Sequence, residues 1–197
     1  MRDLHRPAAV MAMMLTLLFA VSDGALAQAA TGRSGFGMSI GLGMGSAGVT
    51  CPECGVEIDE RVDGLSGYLR VGAYLSPHLF MGLEGTGWLN NDDGFERRIA
   101  AASLVLLTYP SARAGFFLRG GFGGIRAVIE NNLIVVVGEG LTWQVGSGWD
   151  IAMGPIALTP WVTWVNSLEV AADVNDISTG LNLNPDILQF GLALTVR

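Results

Sequence analysis

Two cysteines separated by two residues form the most chemically suggestive motif in this sequence of 197 residues. Thiols at the spacing of Cys51 and Cys54 can form a redox pair, half of a zinc site or a local disulfide. A tetrahedral zinc site needs four ligands, and the sequence after residue 27 offers no other cysteine and only His78 as a histidine. We therefore expect a disulfide that staples a loop. A free redox pair, or a metal site shared with carboxylates or another chain, remains the alternative.

His78 also bears on whether the protein is an enzyme, because a serine nucleophile needs a nearby base and an orienting acid. Ser76 lies two residues before His78, across Pro77, in a short predicted turn. Asp150 is the only acid that could belong to that end of the fold, so lipid hydrolysis is a remote alternative. We predict a non-enzymatic protein with no catalytic residue, no cofactor-binding residue, no cofactor and no metal site.

A group of polar residues falls on strand positions opposite to the large apolar residues, so it is expected to face the interior. Its opposite charges could pair away from lipid, since unpaired buried charges are costly. This group could form a gate or a narrow polar path, or it could plug the interior. If eight strands form a closed ring, the interior is only just wide enough for side chains, which favours the plug. This predicted lumen network comprises Arg70, Glu84, Arg119, Asp150, Tyr68 and Gln144.

These side chains must be positioned by strands, because apolar residues alternate with small or polar residues from residue 35 onward. In the first stretch Phe36, Met38 and Ile40 are separated by glycine or serine. The fourth strand gives no clear facing, because apolar residues occur at both parities. Short turns alternate with longer acidic loops. The eight predicted strands cover residues 35–47, 65–75, 79–89, 98–109, 116–127, 139–153, 156–166 and 187–196.

The composition indicates where such strands would lie. Half of the residues are hydrophobic, 15% are charged and the mean hydropathy is +0.45, yet no apolar stretch after residue 28 is long enough for a membrane helix. Only a closed barrel then satisfies the backbone in a membrane, with glycines inside and large apolar residues outside. The predicted fold class is all-β, a closed eight-stranded antiparallel transmembrane β-barrel.

The amino terminus has the features of a secretory signal peptide. Arg2, His5 and Arg6 precede an apolar run, and small residues at Ala25 and Ala27 fit cleavage before Gln28. The expected organisation is a signal peptide over residues 1–27, a short segment over 28–34 and one barrel domain over 35–197. The sequence has no lysine and a net charge of −7, which argues against nucleic acid as a partner.

Several local features carry further expectations. Pro160 lacks the N–H that a strand donates to its ladder, so we expect a bulge there. Residues 133–137 either extend the sixth strand or form an apolar loop tip. The acidic loops are expected to contain Asp92, Asp93 and Glu96 in the second and Glu169, Asp173 and Asp176 in the fourth. Aromatic candidates for the membrane interface are Trp143, Trp149, Trp164 and Tyr109.

The chain resembles the small eight-stranded outer-membrane barrels of the OmpA/OmpX type, within the porin-like group. The resemblance rests on the glycine-alternating first strand, the glycine-rich run at residues 119–124, Thr159-Pro160-Trp161, and the alternation over 188–196. It implies residence in a bacterial outer membrane, contact with its lipids, and insertion by the barrel-assembly machinery as a monomer. It further implies a role in envelope integrity or surface interaction. The alternative is a narrow channel or a conduit for hydrophobic small molecules, and the remote one is an outer-membrane lipid hydrolase. The chain departs from the family pattern by ending on Arg197 instead of an aromatic residue.

Overall fold

The structure is a computed structural model that describes residues 33–50, 61–92, 94–130, 135–174 and 177–197. The predicted signal peptide and Cys51 and Cys54 lie outside these residues, so neither expectation is addressed. No helix in the described ranges is long and apolar enough to cross a membrane. The strands there are β1 Gly35–Thr50, β2 Val62–Ser76, β3 Leu79–Asp92, β4 Phe95–Thr108, β5 Phe116–Glu130, β6 Val135–Trp149, β7 Ile151–Met153, β8 Ile156–Val174 and β9 Ile177–Val196.

The strands close into a ring. Each pairs antiparallel with its neighbours in the order β6-β5-β4-β3-β2-β1-β9-β8, and β8 pairs back onto β6. The three-residue β7 continues the line of β6, because Gly148 pairs with Trp161 and Ile151 pairs with Leu158 in the same register. With β6 and β7 counted as one strand, the ring has eight strands, and the predicted closed eight-stranded antiparallel fold is confirmed.

Side chains alternate between the two faces of the wall with large apolar groups outside. Leu42 and Leu83 expose 67% and 63% of their surface, whereas Ser39 and Glu84 are almost fully buried. A soluble protein would show the reverse distribution, with apolar side chains inside. The outward facing predicted for the apolar residues of β1, β2, β3, β5 and β9 agrees with this pattern.

The fourth strand, for which the sequence pattern predicts no facing, is apolar on both faces. Leu104 and Leu106 point outward, whereas Ile99, Val105 and Leu107 are buried inside. The two inward groups belong to separate interior clusters, one around Ile99 and one around Val105 and Leu107. An apolar interior next to an apolar exterior removes the alternation by which facing is recognised.

The strands are longer than the sequence predicts at the end opposite the short turns. The β3–β4 ladder continues to the pair Asp92 and Phe95, so the predicted second loop is a tight turn in which Gly94 adopts φ 77°. Glu96 lies in β4, and Glu169 and Asp173 lie in β8. Those assignments to loops were wrong, because backbone pairing continues past the apolar stretch that marks each strand in the sequence.

Residues 135–137 begin β6 and pair with residues 128–130 of β5. This part of the apolar segment therefore extends the wall. Residues 133 and 134 lie outside the described residues.

The bulge predicted at Pro160 is not present. Pro160 pairs with Leu192 of β9 without a register shift. On the other side of β8 the ladder is instead interrupted at Asp150, between β6 and β7, and resumes in the same register. A short gap in the facing strand accommodates the missing N–H as well as an extra residue would.

Candidate functional site

The middle of the interior contains a buried triad of two guanidinium groups and one carboxylate. Arg119 Nη1 donates to Glu84 Oε2 at 2.7 Å, and Arg70 Nη1 donates to the same oxygen at 3.4 Å. The other carboxylate oxygen accepts a hydrogen bond from Thr86 at 3.4 Å. The three charged side chains come from β5, β3 and β2, and each is at most 3% exposed. Opposite charges predicted to share the lumen are thus in direct contact.

Aromatic rings surround the two guanidinium groups. The Cζ of Arg70 lies 5.1 Å from the ring centre of Tyr68, and the Cζ of Arg119 lies 5.2 Å from the same ring. Tyr68 also packs edge-on against Trp161, with ring centres 5.0 Å apart. Cations over aromatic faces gain electrostatic stabilisation, which increases when the site is desolvated.

Hydroxyl groups connect this triad layer to the next layer towards the short turns. The hydroxyls of Ser39 and Tyr68 share a hydrogen bond of 3.0 Å, and Ser39 shares another of 2.9 Å with Thr195. Thr195 is in turn 3.1 Å from Thr159. The result is a continuous line of hydroxyls across β2, β1, β9 and β8.

Asp150 accepts a hydrogen bond from Thr159, the last hydroxyl in that line. Thr159 donates to Asp150 Oδ1 at 2.8 Å, while Tyr109 and Arg197 donate to Asp150 Oδ2 at 3.1 and 2.8 Å. Its backbone N–H bonds to the carbonyl of Gly115 instead of to a β8 residue. The gap between β6 and β7 therefore lies at Asp150, whose carboxylate accepts three side-chain hydrogen bonds near the short turns.

Tyr109 is a correction to the predicted interface set. Its side chain is 2% exposed and lies inside the ring, with Phe117 at 5.5 Å between ring centres and Arg33 at 3.8 Å above it. Burial raises the pKa of Tyr109 well above its ordinary value, and the neighbouring charge of Asp150 raises it further. The phenol thus stays protonated and donates to Asp150. Its position just after β4 resembles that of an interface aromatic, but the parity of β4 directs it inward.

Arg33 closes the turn end of the interior from the segment before β1. Its Nη2 donates to the carbonyl of Ala114 at 2.7 Å, and its Nη1 contacts the carbonyls of Ser111 and Ala112 at 3.5 and 3.4 Å. It thereby holds the turn between β4 and β5. Sequence analysis missed this role because nothing in the segment before β1 predicts an inward direction.

The opposite half of the interior is apolar. Trp88 donates its indole N–H to the carbonyl of Gly45 at 2.9 Å and packs in a buried cluster. The cluster consists of Ala47, Trp88, Ile99, Ala101, Ile125, Val165, Val170 and Ile187, drawn from six of the eight strands of the ring. A cavity of only about 20 Å³ remains beside Val170. The described side chains therefore fill the interior at this level.

Gln144 lies between these halves and does not join the triad. Its side chain is 2% exposed, and its amide oxygen has no hydrogen-bond partner among the described residues. Thr163 and Gln189, also interior, have side-chain atoms in the same condition. Buried polar groups without protein partners usually bind ordered water.

The remaining aromatic candidates lie on the outer wall. Trp143 and Trp164 contact each other edge-on at 5.1 Å, and Trp164 donates to Asp186 at 3.3 Å. Trp149 lies near the turn end of β6 and contacts Phe116 at 6.2 Å. The two groups are placed towards opposite ends of the wall.

His78 and Ser76 form a turn in which each makes a structural bond. His78 Nδ1 donates to the carbonyl of Tyr109 at 2.9 Å, and the hydroxyl of Ser76 accepts the backbone N–H of His78 at 3.2 Å. In the described ranges no group of three histidine, cysteine or acidic residues is arranged to hold a metal ion.

A closed ring of eight antiparallel strands, with an apolar exterior and a buried polar network in part of its interior, is the fold of small outer-membrane β-barrel proteins. No family model and no curated protein matches the sequence. Among solved structures, Neisserial surface protein A is similar with a TM-score of 0.52 at 11% identity over 81% of this chain and 96% of that one. Ail, the attachment invasion locus protein of Yersinia pestis, is similar with a TM-score of 0.54 at 10% identity over 80% and 97%. At such identities the likeness concerns the fold.

Proposed function

We propose that the protein is a non-enzymatic β-barrel of the bacterial outer membrane, with a sealed interior and a role in envelope structure or surface interaction. The observation that carries the proposal is the apolar outer wall. Leu188, Phe190, Leu192, Leu194 and Val196 follow each other along the exposed face of β9. That stretch spans residues 188–196, nine residues of strand, and a tilted strand needs about 9–11 residues to cross a membrane.

Charged pairs bound the apolar wall at the end opposite the short turns. Arg126 and Glu139 pair across β5 and β6 at 3.4 Å, and both are largely exposed. Arg98 pairs with Glu130 at 2.8 Å one step further from the turns. Short turns face the periplasm in such barrels and the other end faces outward. The extended ladders of β5–β6 and β8–β9 would therefore project from the cell surface.

A sealed interior favours the structural or surface role over the narrow channel and the hydrophobic conduit. The turn-end half is filled by hydrogen-bonded charges and the other half by the apolar cluster around Trp88. The proposed partners are outer-membrane lipids and the barrel-assembly machinery. The proposed state is a monomer, because every strand of the ring is paired with a neighbour on both sides.

The membrane assignment is tested by purifying the chain without denaturation in detergent and comparing heated and unheated samples by electrophoresis. An intact barrel resists unfolding in detergent, so two mobilities and recovery with lipid vesicles on flotation are expected. A water-soluble monomer with a single mobility would refute the assignment.

The sealed interior is tested separately in planar lipid bilayers. We expect no resolvable conductance steps from the natural protein. Discrete openings would instead establish the channel alternative while leaving the membrane assignment intact. Lipid turnover that depends on His78 would establish the hydrolase.

A further inference from the structure

Arg119 has one free edge inside the barrel. Its Nη1 donates to Glu84, but its buried Nε and Nη2 have no partner among the described residues. These two N–H groups point in parallel along the same edge of the planar guanidinium. This is the edge with which arginine binds anions in a bidentate manner. An unused bidentate edge in a buried site is costly, since each unpaired donor loses its water without a replacement.

A further unpartnered donor lies in the same layer. The Cζ of Arg119 is 5.9 Å from the ring centre of Trp161, whose indole N–H is also buried without a partner in the described part of the chain. The indole nitrogen can donate but not accept. The layer around Arg119 therefore contains more hydrogen-bond donors than it has acceptors for them.

The charge balance of the same layer points in the same direction. Arg70 and Arg119 share the single carboxylate of Glu84, which leaves one positive charge in excess. Asp150, the other interior acid among the described residues, is already paired with Arg197. A net charge enclosed by a lipid-facing wall is unfavourable unless a counter-charge accompanies it.

We propose that the free edge of Arg119 binds a small monovalent anion, with chloride as its occupant. Two parallel N–H donors and an excess positive charge select for an anion over water. A single-atom ion suits an interior that eight strands make barely wide enough for side chains. The site is independent of the role of the outer surface and exists in the barrel whether or not the extended ladders bind a partner.

The direct test is a crystal of the natural protein grown with bromide in place of chloride. We expect an anomalous peak within hydrogen-bond distance of Nε and Nη2 of Arg119. A water molecule there without anomalous signal, at bromide concentrations that label surface sites, would overturn the proposal.

A solution test uses the refolded barrel in vesicles, unfolded with urea in chloride or in gluconate at equal ionic strength. Binding to the folded state alone stabilises it by RT ln(1 + L/Kd), where L is the free ligand concentration. We expect the urea midpoint to rise with the logarithm of the chloride concentration once this exceeds the dissociation constant, and we expect that rise to be abolished in Arg119→Gln and retained in the control Arg98→Gln. Arg98 lies on the outer surface with Glu96 and Glu130. Equal chloride dependence in all three proteins would contradict the site.

A second variant, Glu84→Gln, allows the proposal to be tested even if Arg119→Gln fails to fold. Glu84→Gln removes the negative charge that competes with the anion, so the chloride dependence should strengthen several-fold even though overall stability falls. A purely structural role for the triad predicts lower stability with unchanged chloride dependence, and that result would also refute the proposal.

Discussion

The two halves of the barrel interior are filled by opposite means. Near the short turns, Glu84 and Asp150 gather arginines and hydroxyls through hydrogen bonds. Near the extended ladders, Trp88 and Ile187 belong to a cluster that would suit the core of a soluble protein. The comparison shows that a narrow lumen needs to be full, and that either apolar packing or a paired polar network can fill it.

The two fillings differ in what they tolerate. Apolar packing loses stability in proportion to the atoms removed and the cavity left behind. A charged network fails abruptly when one partner is lost, because the remaining charge stays buried. The polar half is therefore the more sensitive to the loss of a single partner.

The largest effect is expected in the polar half, for Glu84→Ala. It leaves Arg70 and Arg119 without a counter-charge, and breaking a buried pair in this way costs about 3–5 kcal/mol. The measurement is urea unfolding in vesicles. Glu139→Ala serves as the control, because Glu139 pairs with Arg126 in an exposed position. A loss no greater than that of the control would show that the triad is already hydrated.

In the apolar half, Ile187→Ala is expected to reduce the unfolding free energy by about 2–4 kcal/mol through lost contacts and a cavity. Ile40→Ala is the matched control on the outer wall, where lipid can occupy the vacated space. Equal losses for both would indicate that the interior cluster is loosely packed. The same Ile187 variant also tests the seal, since new conductance in bilayers would locate the barrier at this cluster.

Thr159→Val probes the junction between the polar layers with a smaller change. It removes the 2.8 Å hydrogen bond to Asp150 and the 3.1 Å hydrogen bond shared with Thr195 at nearly constant volume. Losing one partner of a buried acceptor costs about 1–3 kcal/mol, and the retained bonds from Tyr109 and Arg197 place the expectation at the lower end. Thr108→Val, at an exposed position, is the control in the same urea assay.

The smallest effect is expected outside both halves, for Arg126→Gln. Its exposed pair with Glu139 is screened by solvent, so the loss should stay below about 1 kcal/mol. Thermal unfolding at low and high salt checks this, with Arg113→Gln, an exposed residue of a short turn, as the comparison. A loss approaching that of Glu84→Ala would remove the distinction between rim and interior.

Alternation along the strands was sufficient to predict the ring, its number of strands and the inward direction of four charged residues, Arg70, Glu84, Arg119 and Asp150. This worked because a period of two assigns each residue to one face. It failed on β4, where Ile99 and its neighbours make both faces apolar. The same parity rule could have found Thr159 and Thr195, since small hydroxyl residues on the inner face need partners there.

Other features could not be read from the pattern. Whether a ladder continues past the apolar stretch of a strand depends on backbone pairing, so the sequence pattern alone predicts loops at Asp92 and Glu169, which lie in β3 and β8. The inward direction of Arg33 depends on the path of a segment without periodicity. Pro160 has two possible solutions, a bulge or a gap in the facing strand, and only the three-dimensional pairing distinguishes them.

The seam between β1 and β9 has a consequence for the order of assembly. It joins residues about 150 positions apart, such as Met38 with Val196 and Thr50 with Asn184. Contacts between such distant parts of a chain form slowly. Until they form, two long strands present unsatisfied backbone groups to whatever surrounds them. The half-built sheet is therefore the most aggregation-prone species this chain passes through, and a chaperone or catalyst that guards those two borders would govern its yield more than any interior bond.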